Sequence, residues 1–115
     1  MKEKLFSALQ AIIAANPQGF TVGLDLSPIK HGFSVAFAET QDSFNEEGLR
    51  KVIDFVQANP EKVSAFGGWF DKETGRYYLD ATMILEDREN AEQIARRECQ
   101  KYFYDLDTQT EICVE

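Results

Sequence analysis

The chain has 115 residues, of which 43% are hydrophobic and 28% charged, which is long enough for one buried core and argues against an intrinsically disordered protein. Twenty acidic and twelve basic residues give a net charge of −8, and residues 67–115 alone carry twelve acidic and six basic residues. This charge disfavours direct contact with nucleic acid phosphates or an anionic membrane, and it suits plain solubility or a basic partner. We expect one domain, residues 1–115.

The N-terminal segment predicts an amphipathic helix from residue 2 to about residue 15, which Asn16-Pro17 ends. Its apolar residues recur with helical spacing: Leu5, Phe6, Leu9, Ile12 and Ile13. Because this start does not have the pattern of a signal peptide and no segment approaches the length of a membrane span, we expect a cytoplasmic protein.

Two strands should follow. Alternation places four residues on the buried side of the first strand, Phe20 to Leu26: Phe20, Val22, Leu24 and Leu26. The second strand runs from Phe33 to a point near Glu39, and the loop between the two strands contains His31, the only histidine.

A second helix should begin near Asn45, either with Asn45 as its N-cap or with a capping box of Ser43 and Glu46. Its buried stripe is Leu49, Val52, Ile53 and Val56. Asn59-Pro60 ends this helix, and a strand from Val63 to Phe70 follows, in which Gly67-Gly68 predicts a bulge or a close backbone approach.

The next segment predicts a β-hairpin that leads into a third helix. Asp71 to Gly75 has the residues of a type I turn with glycine in the left-handed position. The strand after the turn has a dry face: Tyr77, Leu79, Ala81, Met83 and Leu85. Asp87 should cap the helix, whose apolar stripe is Ala91, Ile94, Ala95 and Cys99.

The last elements are two strands, Tyr102 to Leu106 and Glu111 to Val114. The order helix-strand-strand therefore occurs three times. This order favours antiparallel pairing with helices on one side. We predict an α+β fold: a mainly antiparallel sheet of about five to six strands with three helices packed on one face.

The sequence offers no catalytic residue, metal site or cofactor. His31 has no neighbour in sequence that would orient it as a general base. One histidine and two distant cysteines do not make a zinc site. We expect Cys99 and Cys113 to be buried free thiols in a reducing compartment.

Asp80 and the aromatic residues of the C-terminal half are the candidate binding residues. Asp80 lies mid-strand among aromatic residues, a setting in which a carboxyl pKa is often shifted, although the commoner arrangement for such a residue is to face solvent opposite a buried Leu79. The aromatic residues suit core packing and cross-strand pairs, or a protein-binding face. The candidate set is Trp69, Tyr78, Asp80, Tyr102 and Tyr104.

The segment from Gly67 to Ile112 resembles a group of small, mostly uncharacterised proteins encoded by bacteria, phages and other mobile elements. The shared pattern is a Gly-Trp pair, an Asp-x-x-Thr-Gly turn, a Tyr-Leu-Asp strand, an acid-capped helix and a closing Asp-Leu strand. In this chain it falls on Gly68-Trp69, Asp71–Gly75, Tyr78-Leu79-Asp80, Asp87, Ala91, Ala95, Gln100 and Asp105-Leu106. The resemblance implies a mobile-element origin and no known activity.

Three hypotheses for function remain open at this stage. The first is a small acidic cytoplasmic module that binds another macromolecule, most plausibly a protein, with an inhibitor of a basic host nucleic-acid enzyme as its narrower form. The second is a small-ligand binder or enzyme that uses Asp80 and neighbouring tyrosines in a concave pocket. The third is a self-associating domain, such as a homodimer that pairs through an exposed edge strand.

Overall fold

The computed structural model of the chain describes residues 2–114, and within this range it has three α-helices and one seven-stranded antiparallel sheet. The helices are α1 (Lys2–Ala15), α2 (Asn45–Ala58) and α3 (Arg88–Arg97). The strands are β1 (Gly19–Gly23), β2 (Phe33–Ala36), β3 (Ser43–Phe44), β4 (Ala65–Asp71), β5 (Arg76–Leu85), β6 (Tyr102–Asp105) and β7 (Thr110–Cys113). The α+β prediction is confirmed, with slightly more strands than expected.

The sheet is organised around β5. Its strand order is β1-β4-β5-β2-β6-β7. The two-residue strand β3 is off this path and pairs with β5 at Tyr78 and Leu79, whereas β2 pairs with the later part of β5. The hairpin between β4 and β5 turns as predicted, because Gly75 has a φ of 72° and its N–H donates to the carbonyl of Asp71 at 2.8 Å.

All three helices cover the same face of the sheet, which we call the helix face. Alternation along β5 puts Leu79 and Ala81 on this face, where they join the core that α1 and α2 contribute. A second core cluster joins Ala91 and Ala95 of α3 to Val35 of β2, which pairs with Met83 and so lies on the same side. None of these helices, within residues 2–114, has the length and apolar character needed to cross a membrane.

The opposite face, which we call the open face, carries none of the helices of residues 2–114. Cross-strand pairs share a face, so the register assigns residues to it unambiguously. It includes Thr21 of β1, Gly67 and Trp69 of β4, Arg76, Tyr78 and Asp80 of β5, Phe44 of β3, Tyr102 and Tyr104 of β6, and Glu111 of β7.

The connection between β1 and β2, residues 24–32, first turns back along the free edge of β1, where the Ile29 N–H donates to the Thr21 carbonyl at 3.0 Å, and the Ile29 side chain lies at one end of the open face. This connection has to pass β4 and β5, which separate its two strands in the sheet. Ile29 Cδ1 lies 3.7 Å from the position that a Cβ atom on Gly23 would take. Ala65, which pairs with Gly23, and its neighbour Thr82 are both buried. The uncovered part of this face is therefore the end near Trp69 and Tyr78.

Several boundaries differ from the prediction. β1 ends at Gly23 because Leu26, with a φ of 71°, donates its N–H to the carbonyl of Gly23 at 2.9 Å in a turn. Leu24 is consequently 38% exposed and not buried as predicted. The pairs of β4 with β5 continue without interruption through Gly67 and Gly68, so no bulge forms there.

Neither predicted cap of α2 forms. The residue at the N-cap position is Phe44, and no side chain caps this helix. Ser43 instead donates its hydroxyl to the carbonyl of Thr40 at 2.7 Å and pairs with Leu79 as part of β3. Ser43 therefore belongs to strand β3 of the sheet and does not cap the helix, although its position in the sequence fits a capping pattern.

The cysteines are free but exposed, so the prediction that they are buried was wrong. Helix α3 ends at Arg97, earlier than predicted, and Cys99 follows its C-terminus in a left-handed conformation with a φ of 59°. Cys113 pairs with Tyr102 on the open face of the edge strand β7. Alternation in β7 gives the packed position to Ile112 instead.

Candidate functional site

The uncovered end of the open face carries three aromatic side chains in a line across β4, β5 and β3, which we call the aromatic row: Trp69, Tyr78 and Phe44. Trp69 stacks on Tyr78, with ring centroids 5.1 Å apart and planes at 25°. Tyr78 meets Phe44 edge to face at 5.8 Å. Arg76 completes the row, since its guanidinium carbon lies 4.3 Å from the Phe44 ring centre.

The row is accessible at its β4 end. Trp69 is 45% exposed although its ring stacks on a neighbour, and this is more exposure than a core residue of this size keeps. Its strand neighbour Phe70 is 40% exposed but belongs to the helix face, because it pairs with Tyr77. Because stacking already fixes the Trp69 ring, little side-chain freedom remains for binding to remove.

Asp80 lies beside the aromatic row, two residues from Tyr78 on the same face of β5. Its partner in the register is Gly67, and a Cβ atom on that glycine would lie 2.5 Å from the Asp80 Oδ1 atom. Asp80 therefore leans over the bare backbone of Gly67. Trp69 is its diagonal neighbour across the strand pair, at a spacing of about 7 Å.

The Asp80 carboxyl has no partner in the described part of the chain. No group in residues 2–114 donates a hydrogen bond to it or forms an ion pair with it. Because no fully buried side-chain oxygen in that range lacks a partner, its oxygens keep some contact with solvent. Desolvation by the surrounding residues raises the pKa of the Asp80 carboxyl to about 7. The structure therefore combines both alternatives: Asp80 lies on the face opposite the buried Leu79, and its carboxyl is partly desolvated there.

Tyr102 and Tyr104 share the open face with this site but lie at its other end. Tyr104 pairs with Ser34, and Ser34 pairs with Ile84, six residues along β5 from Tyr78. At about 3.3 Å per residue, this places Tyr104 about 20 Å along the strand direction from the aromatic row, and Tyr102, about 13 Å along that direction, lies on the same strand, two positions away from β5 in the sheet. The structure thus brings together Trp69, Tyr78 and Asp80, and it separates the other two candidates from them.

His31 does have a partner, contrary to the sequence-based expectation. Its Nδ1 atom lies 2.7 Å from Oδ1 of Asp107 in the turn between β6 and β7, and the Gly32 N–H donates to Oδ2 of the same carboxylate at 3.0 Å. These two hydrogen bonds hold the pKa of Asp107 below its usual value. Both side chains are exposed, and neither lines a cavity described in residues 2–114.

A cavity of about 280 Å³ lies on the helix face, between the C-terminal half of α1 and the first turn of α2. Its wall includes Tyr77, whose hydroxyl donates to the carbonyl of Asn16 at 2.6 Å, and burial raises the pKa of Tyr77 to about 12. Asp80 and the aromatic row lie on the other face. Asp80 lines neither this cavity nor the smaller one beside Lys2 and Arg50, so neither of them is the concave pocket expected around Asp80.

Phe44, Arg76 and Gly67 belong to the site but were not singled out as binding residues. Phe44 lies in a two-residue strand, which is too short to show alternation. Gly67 did carry a signal, because a glycine inside a strand often marks a close approach. The residue that approaches it is Asp80 on the paired strand, which only the register reveals.

Within residues 2–114, no group of three or more histidine, cysteine or carboxylate side chains is arranged to hold a metal ion. Compared with protein-family models, with curated proteins and with solved structures, the chain shows no significant match. The functional argument therefore depends on the geometry of the open face alone.

Proposed function

We propose that this protein is a small protein-binding module whose partner docks on the uncovered end of the open face. The observation that carries this proposal is the exposed Trp69 ring, stacked on Tyr78 in a line with Phe44 on a face that no helix covers. Tryptophan and tyrosine are the residues most enriched among the energetic centres of protein interfaces.

Charge supports a basic protein partner over a nucleic acid. Aromatic residues on a sheet stack bases in several single-strand binding folds, but those surfaces also need a basic groove for the phosphates. Here the chain carries a net charge of −8, and the site contains the carboxylate of Asp80. A basic host enzyme whose nucleic-acid channel is blocked by this acidic protein is the narrower form of the proposal, and a mobile-element origin would suit it.

A small-molecule ligand is the second candidate, and Asp80 favours it. A desolvated carboxyl with a raised pKa and no internal partner is a common feature of ligand sites and active sites. An enzyme would also need a second reacting group and an enclosing pocket beside Asp80. The aromatic row instead offers an extended surface, so we favour the protein partner.

The test is direct binding with matched variants. A partner is captured with the intact protein from cells that encode it, then purified and titrated calorimetrically against wild type, Trp69→Ala and Phe70→Ala. The two residues are adjacent in β4 and similarly exposed, but they lie on opposite faces. Trp69→Ala should weaken binding about 30-fold, as the loss of an interface centre does, and Phe70→Ala less than threefold.

Two outcomes would overturn the proposal. If Phe70→Ala weakens binding as much as Trp69→Ala, the partner does not dock on the open face. If no protein binds directly at moderate salt and light scattering shows a dimer that Trp69→Ala dissociates, the open face is a homodimer interface and the basic-partner proposal fails.

A further inference from the structure

We propose that Asp80 and Trp69 form a receptor for one arginine side chain of the docked partner. This inference rests on the proposed function and names the chemistry of its centre. The guanidinium would lie against the solvent-facing side of the Asp80 carboxyl, which itself leans over Gly67, with its N–H groups donating to the carboxylate and its plane toward the exposed face of Trp69.

The bare backbone of Gly67 leaves a shallow notch in the open face, into which the Asp80 carboxyl leans. Gly67 has no side chain, and its neighbours on the open face are Asp80 on β5, Thr21 on β1 and Trp69 two residues along β4. The Asp80 carboxyl and the methyl group of Thr82 lie over the Gly67 backbone, so an incoming flat group meets the carboxylate, with the Trp69 indole as its neighbour.

The carboxylate needs a donor that the described chain does not supply. Arg76 is the nearest cation along β5, four residues or about 13 Å from Asp80, and its guanidinium already lies over the Phe44 ring. A partly desolvated carboxylate without a donor gains more from an incoming charge-assisted hydrogen bond than a fully hydrated one. The complementary group therefore has to come from another molecule.

Arginine fits this notch better than lysine. A guanidinium is planar, can donate two parallel hydrogen bonds to one carboxylate and is less strongly hydrated than an ammonium group, so it can also stack on an aromatic ring. Cation–ring contacts within this chain show the same preference. Arg76 and Arg50 lie 4.3 and 4.2 Å from the centres of their rings, whereas Lys62 stays 5.8 Å or more from its rings.

The net charge of −8 acts in the same direction at longer range. An acidic surface raises the encounter rate with a basic segment and does not by itself select a site. The notch supplies the selection, because its carboxylate is partly desolvated and is the neighbour of the exposed Trp69 ring. Glu111, at the far end of this face, also pairs with an exposed ring, that of Tyr104, but Glu111 is itself exposed to solvent.

The experiment uses the intact protein and a pentapeptide probe, Gly-Gly-Arg-Gly-Gly with blocked ends. Titration into isotope-labelled protein is followed through the Asp80 side-chain carboxyl and the Trp69 indole N–H resonances. We expect both signals to shift and saturate in the millimolar range. The same peptide with lysine should bind at least threefold more weakly, and the peptide with neutral citrulline should produce no saturable shift.

Two variants provide the controls. Asp80→Asn keeps the shape of the side chain and should abolish saturable binding of the arginine peptide. Glu111→Gln removes an equal charge from the same face and should leave the affinity within twofold of wild type. Equal binding of the citrulline peptide, or equal loss in both variants, would overturn the receptor and leave only general electrostatic attraction.

The two proposals fail in distinguishable ways. If Trp69→Ala weakens the natural partner and Asp80→Asn does not, the open face is the docking surface and the arginine receptor is wrong. If Phe70→Ala is as harmful as Trp69→Ala for the partner while the arginine peptide still saturates at Asp80, the notch is a cation site and the proposed docking surface is wrong.

Discussion

The carboxyl of Asp80 leans over the backbone of Gly67, where a Cβ atom would lie only 2.5 Å from its Oδ1 atom. The two residues are direct cross-strand partners in β5 and β4, on the face of the sheet that the helices leave free. This relationship explains two unusual choices together: a glycine in the middle of a long strand, and an acid in the middle of its neighbour. Asp80 can adopt this position because Gly67 has no side chain.

The unpaired Asp80 should make the folded protein less stable as the pH rises. Its pKa is raised from 3.8 to about 7 in the folded state, so the folded chain holds this proton more tightly than the unfolded chain. The contribution to stability is complete below about pH 4 and is lost as the pH rises through about 7. We expect Asp80→Asn to raise the free energy of unfolding at pH 8 by about 1 to 2 kcal/mol, below the ~4 kcal/mol of the full shift because Asp80 retains solvent contact.

Urea unfolding of wild type and Asp80→Asn from pH 4 to pH 8 measures this difference. The two proteins should be similar in stability near pH 4 and diverge above it. Glu111→Gln, an exposed acid on the same face, is the matched control and should stay within about 0.5 kcal/mol of wild type at every pH. Parallel curves for Asp80→Asn and wild type would show that Asp80 is fully hydrated.

Gly67→Ala should destabilise the protein through Asp80. The added methyl group would meet the Asp80 carboxyl, which has to move away from a position fixed by β5. We expect a loss of about 1 kcal/mol in the free energy of unfolding, although alanine is normally favoured over glycine in a strand by a similar amount. In an Asp80→Ala background the sign should reverse, and Gly67→Ala should stabilise by up to about 0.5 kcal/mol.

Chemical unfolding of the four proteins in this double-mutant cycle gives the coupling between the two positions directly. A coupling free energy of about 1 kcal/mol or more is the expected result. If Gly67→Ala costs the same with and without the Asp80 side chain, the glycine is required for some reason other than the contact described here.

Helix α3 depends on its N-cap. The Asp87 carboxylate accepts a hydrogen bond from the Asn90 N–H at 3.0 Å, as its sequence position predicted. Asp87→Ala should lower the free energy of unfolding by about 1 kcal/mol, because it leaves backbone donors of the first turn without a partner. Glu86→Ala, one residue earlier and exposed, should change it by less than about 0.5 kcal/mol. Equal effects of the two variants would mean that only charge near the helix start matters.

The success with Asp87 and the failure with Cys99 show what this sequence could predict. Local rules identify the turn at Gly75, the cap at Asp87 and the alternation of β5, because each depends on residues within one short segment. The prediction for Cys99 assumed that α3 continues. The helix instead ends at Arg97, and the chain turns at Cys99, which has a left-handed backbone conformation. No glycine or proline follows the helix to mark this end in the sequence.

The candidate site depended on relationships across the chain that local patterns do not contain. Trp69 and Tyr78 were singled out because aromatic residues concentrate in the C-terminal half, and Asp80 because it lies mid-strand among them; only the register of the hairpin places the three on one face. Phe44 reaches the same row from a strand of two residues, 34 positions before Tyr78, and the pairing of His31 with Asp107 spans 76 positions. Neither contact could be predicted without the strand order.

The hydroxyl of Tyr77 ties the end of α1 to the sheet beside the helix-face cavity. It donates to the Asn16 carbonyl at 2.6 Å, and burial raises its pKa to about 12. Tyr77→Phe should lower the free energy of unfolding by about 1 kcal/mol, because it removes this bond and leaves the carbonyl without that donor. Since the raised pKa disfavours the phenolate in the folded state, wild type should also lose stability as the pH rises from about 10 through about 12.

Ultraviolet titration and urea unfolding of wild type, Tyr77→Phe and Tyr102→Phe test this prediction. Tyr102 is half exposed on β6, and its substitution should change the free energy of unfolding by less than about 0.5 kcal/mol. The ionisation near pH 12 should disappear only in Tyr77→Phe. If instead that titration persists in Tyr77→Phe, or the variant is as stable as wild type, the hydroxyl of Tyr77 does not hold the end of α1 in place.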